Sequence, residues 1–478
     1  MIRMTVPPAG QTSPEYGVAV LGAGIVGCAV FRSFVLAGVR TVLLERDDDI
    51  INGASKGNSG ILHTGFDATL ATLESRFVAA GYRAYRQVHE RLNLPLMRTM
   101  AIMVAWNQQE QSRVAAIVAQ AHANGVREVR PLAPAEISRY EPALAADMAG
   151  GVLVPGESVI DPWSAPLAYV LQGVANGGHV RRATPVTGGR LADGFWHLVT
   201  PGGSVRASVV VNCTGNHGDL VEAIARPSPF RITPRKGQFV VFDKSAYALV
   251  GAIILPVPTE RTKGVVIART AFGNLMVGPT AEDQEDRDTA TVDQATLAAL
   301  IGRGTRIIPA LAAHPITATF AGLRPATQFK DFQIEALPKE RWITVSGIRS
   351  TGLTASLGIA LHVRELYQAH FGILEELPDP VWTPVPNLCE ERPRPYQAGA
   401  RSPIVCHCEL VTRREIEDAL EGPLPARSLG GLKRRTRCMM GRCQGFYCSR
   451  RVFEIARGRL ADLQRFGFQE GMPDGVAG

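Results

Sequence analysis

The fold is decided near the amino terminus by residues 17–45, which read GVAVLGAGIVGCAVFRSFVLAGVRTVLLE. The first five of these residues are apolar and predict a short strand, and residues 22–27 form a glycine-rich turn. Residues 28–36 carry apolar side chains at helical spacing, and residues 41–44 predict a second strand that ends at Glu45. This order of strand, turn, helix and strand predicts a parallel βαβ unit of the Rossmann type.

The turn has the glycine spacing of a dinucleotide-binding loop. Gly22 permits the tight turn, Gly24 lets the backbone approach a pyrophosphate, and Gly27 allows the helix to pack closely on the strand. The pyrophosphate then lies at the amino end of the helix, where backbone N–H groups and the helix dipole favour negative charge. Glu45 stands where a carboxylate binds a ribose 2′-hydroxyl. It would repel a 2′-phosphate, so the sequence disfavours NADP.

Three further segments favour FAD over NAD, and only one dinucleotide turn is present. Residues 212–215 (NCTG) follow an apolar strand and form a second backbone wall, while residues 54–65 (ASKGNSGILHTG) form a small-residue loop suited to contact with a large ring. Residues 347–354 (GIRSTGLT) precede a predicted helix whose amino end would stabilise negative charge on the reduced flavin. The candidate FAD-binding residues are Gly22, Gly24, Gly27, Glu45, Arg46, Asn58, Ser59, Gly60, Thr214, Gly215, Gly352, Leu353 and Thr354.

Five of the eight cysteines fall between residues 406 and 448, a spacing typical of a metal or redox site rather than a disulfide framework. The predicted metal ligands are Cys406, Cys408, Cys443 and Cys448. Four thiolates suit an iron–sulfur cluster or zinc, although a CxC start is unusual for a zinc ribbon. A set that uses Cys438 with Cys443, structural zinc, and a domain without a cluster remain alternatives. His407 is predicted to be a spacer.

Composition describes an ordinary globular protein, with 46 % hydrophobic and 20 % charged residues among 478. No apolar run is long enough to span a bilayer, and the first residues lack the apolar core of an export signal. We therefore expect a cytoplasmic protein, with peripheral association at the inner face of the membrane as a variant. The net charge of +7 is mostly scattered, which argues against nucleic-acid binding. Its local concentration near the carboxyl terminus favours an anionic electron-transfer partner.

Several longer segments resemble the D-amino-acid-oxidase-like FAD dehydrogenases, and more narrowly the glycerol-3-phosphate and L-2-hydroxyglutarate dehydrogenase group. The segments are 57–65 (GNSGILHTG), 234–244 (PRKGQFVVFDK), 273–283 (GNLMVGPTAED), 322–325 (GLRP) and 347–354 (GIRSTGLT). The carboxyl-terminal part, with VCHCELV and MGRCQGFYC, resembles the bacterioferritin-associated ferredoxin-like domain. That resemblance implies a 2Fe–2S cluster on the four predicted ligands, with Cys438 as a spare thiol.

The fold class implied is α/β: a Rossmann-type FAD-binding domain with an inserted mixed-sheet substrate domain, followed by a small α-rich iron–sulfur-binding domain. The predicted limits are 1–376 for the FAD-dependent oxidoreductase domain, with FAD-binding parts at about 15–90, 146–225 and 341–376 and substrate parts at about 91–145 and 226–340; 377–397 for a Pro-rich linker; and 398–478 for the ferredoxin-like domain.

Two residues are candidates for substrate chemistry. Arg324 can bind a carboxylate or phosphate because its planar guanidinium forms paired hydrogen bonds with such groups. His63 lies in the loop expected near the flavin and can act as the base. Weaker anion-binding candidates are Lys236, Lys263 and Arg349.

The resemblance implies oxidation of glycerol 3-phosphate or a related polyol phosphate, with electrons passing through the cluster to a partner protein, a partner subunit or a quinone. A 2-hydroxy acid, or an amine or opine, is the alternative substrate. An electron-relay subunit within a larger complex is the alternative of another class.

Overall fold

The computed structural model describes residues 15–258, 264–397 and 402–463. The strands, in chain order, are β1 (Tyr16–Leu21), β2 (Thr41–Leu44), β3 (Ile61–Leu62), β4 (Ala101–Ala105), β5 (Arg130–Leu132), β6 (Gly150–Val154), β7 (Ser158–Val159), β8 (His179–Arg181), β9 (Gly188–Ala192), β10 (Phe195–Thr200), β11 (Gly203–Asn212), β12 (Ile232–Phe242), β13 (Ile253–Pro256), β14 (Val266–Arg269), β15 (Leu275–Gly278), β16 (Glu282–Asp283), β17 (Ile316–Thr327), β18 (Gln333–Leu337), β19 (Trp342–Ser346), β20 (Ile404–Cys406) and β21 (Val411–Thr412). The α-helices are α1 (Ile25–Leu36), α2 (Leu73–Val88), α3 (Gln108–Gln111), α4 (Val114–Ala123), α5 (Pro134–Tyr140), α6 (Ser164–Ala175), α7 (Gly218–Glu222), α8 (Gln294–Ile307), α9 (Gly352–His370), α10 (Arg413–Ala419), α11 (Leu429–Thr436) and α12 (Ser449–Ala456). Short 3₁₀ helices cover Ala54–Lys56, Gly215–His217, Lys244–Leu249, Pro309–Ala313 and Pro395–Gln397.

The first sheet has five parallel strands at its centre, in the order β8-β2-β1-β11-β19. Strand β18 is antiparallel to β19 at one edge, and the β9–β10 hairpin joins β11. Because the central strands are parallel, the turns after Leu21, Leu44, Asn212 and Ser346 meet at one edge of the sheet, as in other doubly wound folds. This sheet confirms the predicted α/β fold.

Apolar helices pack beside this sheet. Helix α1 packs against α6 and α9, and α2 packs against α9. Phe31, Phe34 and Ile343 are buried in the core they share. The contact between α2 and α9 requires a glycine, because a Cβ on Gly81 would lie 1.9 Å from the carbonyl oxygen of Thr354. The close contact fixes the amino end of α9 relative to the sheet.

The second sheet is mixed, as the sequence predicts for the inserted part. Its order is β16-β12-β15-β14-β13-β4-β6-β5, with β17 paired along β12. Strand β13 is parallel to β4, whereas its other neighbour, β14, is antiparallel to it. Strand β6 belongs to this sheet and β18 to the first one, so the chain crosses between the sheets several times. The numerical domain limits stay predictions.

The carboxyl-terminal part forms the β20–β21 hairpin and three short helices around its own apolar core, which includes Val405, Ile416 and Leu432. It contacts the first sheet's domain through Asp49. The Asp49 carboxylate accepts hydrogen bonds from both terminal nitrogens of Arg435, at 2.8 and 3.0 Å. These contacts join the two parts across a buried ion pair.

The segment before it is extended, as its proline content predicts, and it lies against the protein. The Leu377 N–H donates to the carbonyl of Leu36 at 2.8 Å, and the Val385 N–H donates to that of Leu92 at 3.1 Å. Val385 and Cys389 are buried. In the three described ranges, none of the helices combines the length and apolarity needed to cross a bilayer.

Candidate functional site

The glycine turn after β1 depends on close backbone approaches. Gly22 has a φ of +92°, a conformation that favours glycine. A Cβ on Gly27 would lie 1.9 Å from the carbonyl oxygen of Gly22, so glycine is required there too. The N-cap residue of α1 is Gly24, so no side chain of that residue covers the helix terminus. Gly22, Gly24 and Ile25 line a cavity at this terminus. The backbone at this helix terminus therefore suits a pyrophosphate.

Glu45 follows β2 at the wall of the same cavity. Its Oε2 accepts the Ala23 N–H at 2.6 Å and its Oε1 accepts the Asp47 N–H at 3.0 Å, and burial raises the pKa of Glu45. A carboxylate has about four acceptor positions, so it can still accept a hydrogen bond from a ribose hydroxyl. Arg46 also lines the cavity and forms an ion pair with Asp288.

The turns at the carboxyl edge of the first sheet enclose a cavity of about 940 Å³. Cofactor and ligand sites commonly measure about 300–1,000 Å³. The predicted flavin-binding residues that line it are Gly22, Gly24, Glu45, Arg46, Asn58, Ser59, Thr214, Gly215, Gly352 and Leu353. Gly27, Gly60 and Thr354 do not line the cavity. Gly27 packs against Gly22, and the Gly60 N–H donates to Asn58, so both contact lining residues. The Thr354 hydroxyl accepts the backbone N–H of His63.

The loop after β2 contributes a residue that the sequence analysis missed. The hydroxyl of Ser55 accepts the N–H of Ile25, the first residue of α1, at 3.0 Å. A Cβ on Gly57 would lie 2.7 Å from the Cα of Gly322 in β17, so this loop also touches the second sheet. A serine in a glycine-rich loop beside a helix start is the signal that could have identified Ser55.

Helix α9 begins at the cavity, where Gly352 and Leu353 form part of the wall. Its N-cap residue Thr351 makes no capping hydrogen bond, and the Thr351 hydroxyl instead donates to Oε1 of Glu74 at 2.8 Å. The first turn of this 19-residue helix therefore offers N–H groups and the positive end of the helix dipole to the cavity. The N–H groups at the starts of α1 and α9, together with the carboxylate acceptor of Glu45, fit FAD.

His63 is held by a buried carboxylate. The Nδ1 atom of His63 lies 2.9 Å from Oε2 of Glu157, whose side chain is 0 % exposed. The other oxygen of Glu157 accepts the N–H and the hydroxyl of Thr64, at 2.6 and 2.8 Å. The His63 N–H donates to the hydroxyl of Thr354 at 3.0 Å, which places His63 beside the start of α9. With Glu157 ionised, Nδ1 carries the proton and Nε2 is the basic atom. The sequence contains no local pattern that links Glu157 to His63.

Arg324, in β17, is a largely buried cation at the cavity wall. Its Nη2 donates to the carbonyl oxygen of Thr280 at 2.6 Å. Burial, and then the neighbouring charge of Arg235, lower the pKa of Arg324 to about 10. The carboxylate of Asp283 pairs with Arg235 at 2.6 Å. Within the described ranges Arg324 has no ion-pair partner, so its guanidinium can pair with an anion that enters the cavity.

The three weaker anion-binding candidates are not brought together. Arg349 lines the cavity and donates to the carbonyl of Lys330. Lys236 forms an ion pair with Glu282 at 3.2 Å and is not part of the lining. Lys263 lies outside the described residues.

The four predicted cluster ligands lie in two loops that contact each other. Cys406 lies beside Cys448, and the interaction of the two thiols lowers the pKa of Cys406 and raises the pKa of Cys448. Cys408 and Cys443 form a second pair of neighbouring thiols. A Cβ on Gly441 would lie 2.3 Å from the Cβ of Cys408, so the loop before Cys443 packs directly on the CxC segment.

The thiols meet in two pairs, and the described part of the chain has no group of three or more Cys, His or acidic side chains that could hold a single metal ion. A 2Fe–2S cluster takes four thiolates, two on each iron, so two adjacent thiol pairs fit it better than they fit one zinc ion. Cys438 is fully buried beside Thr436, and burial raises the pKa of Cys438 to about 12. That environment disfavours the thiolate a ligand needs. The side chain of His407 is exposed.

Comparisons with known proteins match both parts of the chain. Residues 17–366 match the family described as FAD dependent oxidoreductase (DAO), and residues 404–457 match the BFD-like [2Fe-2S] binding domain. The chain is 30 % identical to the glycerol 3-phosphate dehydrogenase of Caloramator mitchellensis, over 92 % of this chain and 93 % of that protein. It is 26 % identical to the glycerol 3-phosphate oxidase of Mycoplasma pneumoniae, over 72 % of this chain and 92 % of that protein.

A solved structure shows the same fold in the oxidoreductase part. The dithionite-reduced L-alpha-glycerophosphate oxidase from Mycoplasma pneumoniae, with FAD bound, superimposes with a TM-score of 0.72 at 25 % identity. The match covers 77 % of this chain and 97 % of that one. FAD and a 2Fe–2S cluster are therefore the cofactors of this protein. The chain belongs to the FAD dependent oxidoreductase family and ends in a BFD-like 2Fe–2S-binding domain.

Proposed function

We propose that this protein is a dehydrogenase of glycerol 3-phosphate or a related polyol phosphate, and that its electrons leave through the 2Fe–2S cluster to a partner protein, a partner subunit or a quinone. The relative from Caloramator mitchellensis, which is named for glycerol 3-phosphate, spans nearly the whole chain and supports this substrate class. Location in the cytoplasm, with or without contact to the inner face of the membrane, remains part of the proposal.

The observation that carries the proposal is the charge of Arg324. A buried cation is costly unless an anion compensates it. Arg324 lines the cavity without an ion-pair partner among the described residues, because the neighbouring carboxylate of Asp283 pairs with Arg235 instead. A substrate phosphate would supply the missing negative charge and accept paired hydrogen bonds from the guanidinium.

His63 is proposed as the base that accepts the substrate hydroxyl proton. Glu157 binds Nδ1, so the proton of the neutral imidazole lies on Nδ1 and Nε2 is the basic nitrogen. The hydrogen bond from the backbone N–H of His63 to the hydroxyl of Thr354 keeps this base next to the first turn of α9. Glu157 is a positioning residue because it acts through the imidazole.

The flavin contacts follow from the cavity lining. FAD supplies the hydride acceptor. Gly22, Gly24 and the start of α1 would hold the pyrophosphate, and Glu45 a ribose hydroxyl. The remaining proposed contacts are Gly27, Arg46, Asn58, Ser59, Gly60, Thr214, Gly215, Gly352, Leu353 and Thr354. Cys406, Cys408, Cys443 and Cys448 are the proposed cluster ligands, and the cluster supplies one-electron transfer.

A substrate panel tests this proposal. Glycerol 3-phosphate, glycerol, L-2-hydroxyglutarate and an opine are offered anaerobically, and bleaching of the bound flavin is followed. We expect glycerol 3-phosphate to bleach it and glycerol to be much slower. Bleaching only by the hydroxy acid or the opine would overturn the proposed substrate class. Bleaching by none of the compounds would favour an electron-relay subunit.

Variants at two neighbouring arginines sharpen the test. Arg324→Met should lower kcat/KM for glycerol 3-phosphate by roughly 10- to 100-fold, because a hydrogen bond to a charged group contributes about 1.5–3 kcal/mol. The double variant Arg235→Met/Asp283→Asn is the matched control: it removes the ion pair opposite Arg324 in the β12–β17 pair as a whole and leaves the net charge around Arg324 unchanged. Equal effects of the two variants would contradict the role of Arg324.

A further inference from the structure

A series of side-chain contacts leads from the flavin cavity into the interface between the two domains. Trp163 donates its indole N–H to the carbonyl of Lys56, a cavity-lining residue, at 3.2 Å. The Trp163 ring stacks on Phe272 with centroids 5.0 Å apart and an angle of 13° between the planes. The guanidinium carbon of Arg437 lies 4.1 Å from the centroid of Phe272. These contacts bridge the oxidoreductase domain and the carboxyl-terminal domain.

From Arg437 the contacts continue to the cluster loops. Its Nη2 lies 3.2 Å from Oε2 of Glu409, and the two side chains are 5 % and 1 % exposed. Glu409 follows Cys408 directly in the chain and lies three residues after Cys406, so it belongs to the loop that carries two of the proposed ligands. The contacts of Trp163, Phe272, Arg437 and Glu409 therefore run from the wall of the flavin cavity to one of the two cluster loops.

The backbone at Arg437 makes glycine a suitable test residue there. Arg437 is the residue that ends α11, and its φ is +71°. Glycine is the usual residue in this conformation, and another residue costs roughly 1–2 kcal/mol. A glycine would therefore fit the backbone while removing both the contact with Phe272 and the ion pair with Glu409.

We propose that Trp163, Phe272 and Arg437 form the electron route between the flavin and the cluster; the proposal rests on the proposed flavin and cluster sites. Oxidation of the substrate alcohol transfers two electrons to FAD as a hydride, and the hydroxyl proton goes to the base. The two electrons then leave one at a time, and each reduces the oxidised cluster by one electron. A one-electron acceptor reoxidises the cluster between the two transfers, and the reduced flavin releases its proton to solvent. Continuous packing along the route matters because electron transfer slows steeply across a gap.

Phe272→Leu tests the route, since it keeps an apolar side chain but removes the ring between Trp163 and Arg437. The holoenzyme is reduced anaerobically by rapid mixing with substrate, with flavin bleaching followed by absorbance and cluster reduction by freeze-quench electron paramagnetic resonance. We expect flavin bleaching at the wild-type rate and loss of the fast phase of cluster reduction. Trp163→Leu and Arg437→Gly should give the same pattern, and the glycine variant suits the backbone at that position.

The matched control is Phe195→Leu. The guanidinium carbon of Arg206 lies 3.9 Å from the centroid of Phe195 in β10, a contact like that of Arg437 with Phe272, and neither residue of this control pair lines the cavity. Cluster reduction in this variant should keep its fast phase. The midpoint potential of the cluster is measured in all variants, because an unchanged potential assigns a slow transfer to the route rather than to the driving force.

Wild-type cluster reduction in both Phe272→Leu and Trp163→Leu would overturn the route. A failure of glycerol 3-phosphate to bleach the flavin would count against the proposed substrate alone. In that case a light pulse in the presence of a sacrificial electron donor, which is itself oxidised, reduces the flavin instead, and the same transfer to the cluster is measured without any substrate.

Discussion

Replacing Glu157 by glutamine should disable His63 without removing either side chain. Glu157 accepts three hydrogen bonds: two from Thr64, at 2.6 and 2.8 Å, and one from Nδ1 of His63, at 2.9 Å. A glutamine has one carbonyl oxygen and one NH₂ group in the same place. The carbonyl oxygen will stay with the two Thr64 donors, because the opposite orientation would leave buried donors unpaired, at a cost of about 1–3 kcal/mol. The NH₂ group then faces Nδ1 and donates to it.

This exchange reverses the tautomer of His63. When Nδ1 accepts a hydrogen bond, the proton of the neutral imidazole moves to Nε2, and Nε2 can no longer take the substrate proton. General-base catalysis contributes about 10²–10⁴-fold, which corresponds to roughly 3–5 kcal/mol of barrier. We therefore expect Glu157→Gln to slow flavin bleaching by glycerol 3-phosphate by about that factor, while KM changes little.

The assay is anaerobic stopped-flow absorbance of the bound flavin. Thr64→Val is the matched control, since it removes one hydrogen bond to Glu157 and leaves the carboxylate paired with His63. Its bleaching rate should stay close to that of the wild type. A Glu157→Gln protein that retains FAD and bleaches at the wild-type rate would refute the role assigned to the histidine.

Three further outcomes follow from the packing. Gly27→Ala should abolish FAD retention, because its Cβ would lie 1.9 Å from a carbonyl oxygen of the turn; flavin content after gel filtration measures this, and normal content would contradict the turn geometry. Cys443→Ser should lose the cluster while Cys438→Ser keeps it, as iron and sulfide analysis will show; the reverse result would assign the ligand role to Cys438. Although burial acts to raise the pKa of Asp49, the charge of Arg435 holds it below its ordinary value. The pair therefore stabilises the fold above pH about 4, and this contribution is lost as the pH falls through the lowered pKa. Asp49→Asn should cost about 3–5 kcal/mol at neutral pH in denaturant unfolding, and no loss would mean that the buried pair is not stabilising.

Local patterns predict the parts of the fold that depend on neighbours in sequence. The strand predicted at residues 41–44 ends where its apolar run ends, because a parallel strand buried on both faces reads as a continuous apolar run. Helix α1 begins three residues earlier than its apolar pattern suggests, since its N-cap is Gly24, inside the turn itself. The helix predicted after residues 347–354 is α9, which begins at Gly352, within that segment.

Pairings over long sequence distances are not predictable in this way. Glu157 meets His63 only because β3 and β7 pair, and two-residue strands leave no periodic signal. The contact of Arg437 with Phe272 depends on how the carboxyl-terminal domain lies against the second sheet. The proline-rich segment is predicted only as a linker, because composition indicates that it is extended but does not indicate what it packs against.

The arginines of low exposure can be distinguished by what their guanidinium groups contact. Arg435 and Arg437 are each paired with a buried carboxylate, so their charges are used within the protein. Arg434 donates to the carbonyl of Ile50 at the domain interface, and the neighbouring carboxylate of Asp49 pairs with Arg435. Arg324 likewise donates to a backbone carbonyl, and the neighbouring carboxylate of Asp283 pairs with Arg235. Of these two, only Arg324 lines the cavity, where an anion from outside the chain can reach it. An anionic substrate is therefore expected at β17 and not at the domain interface.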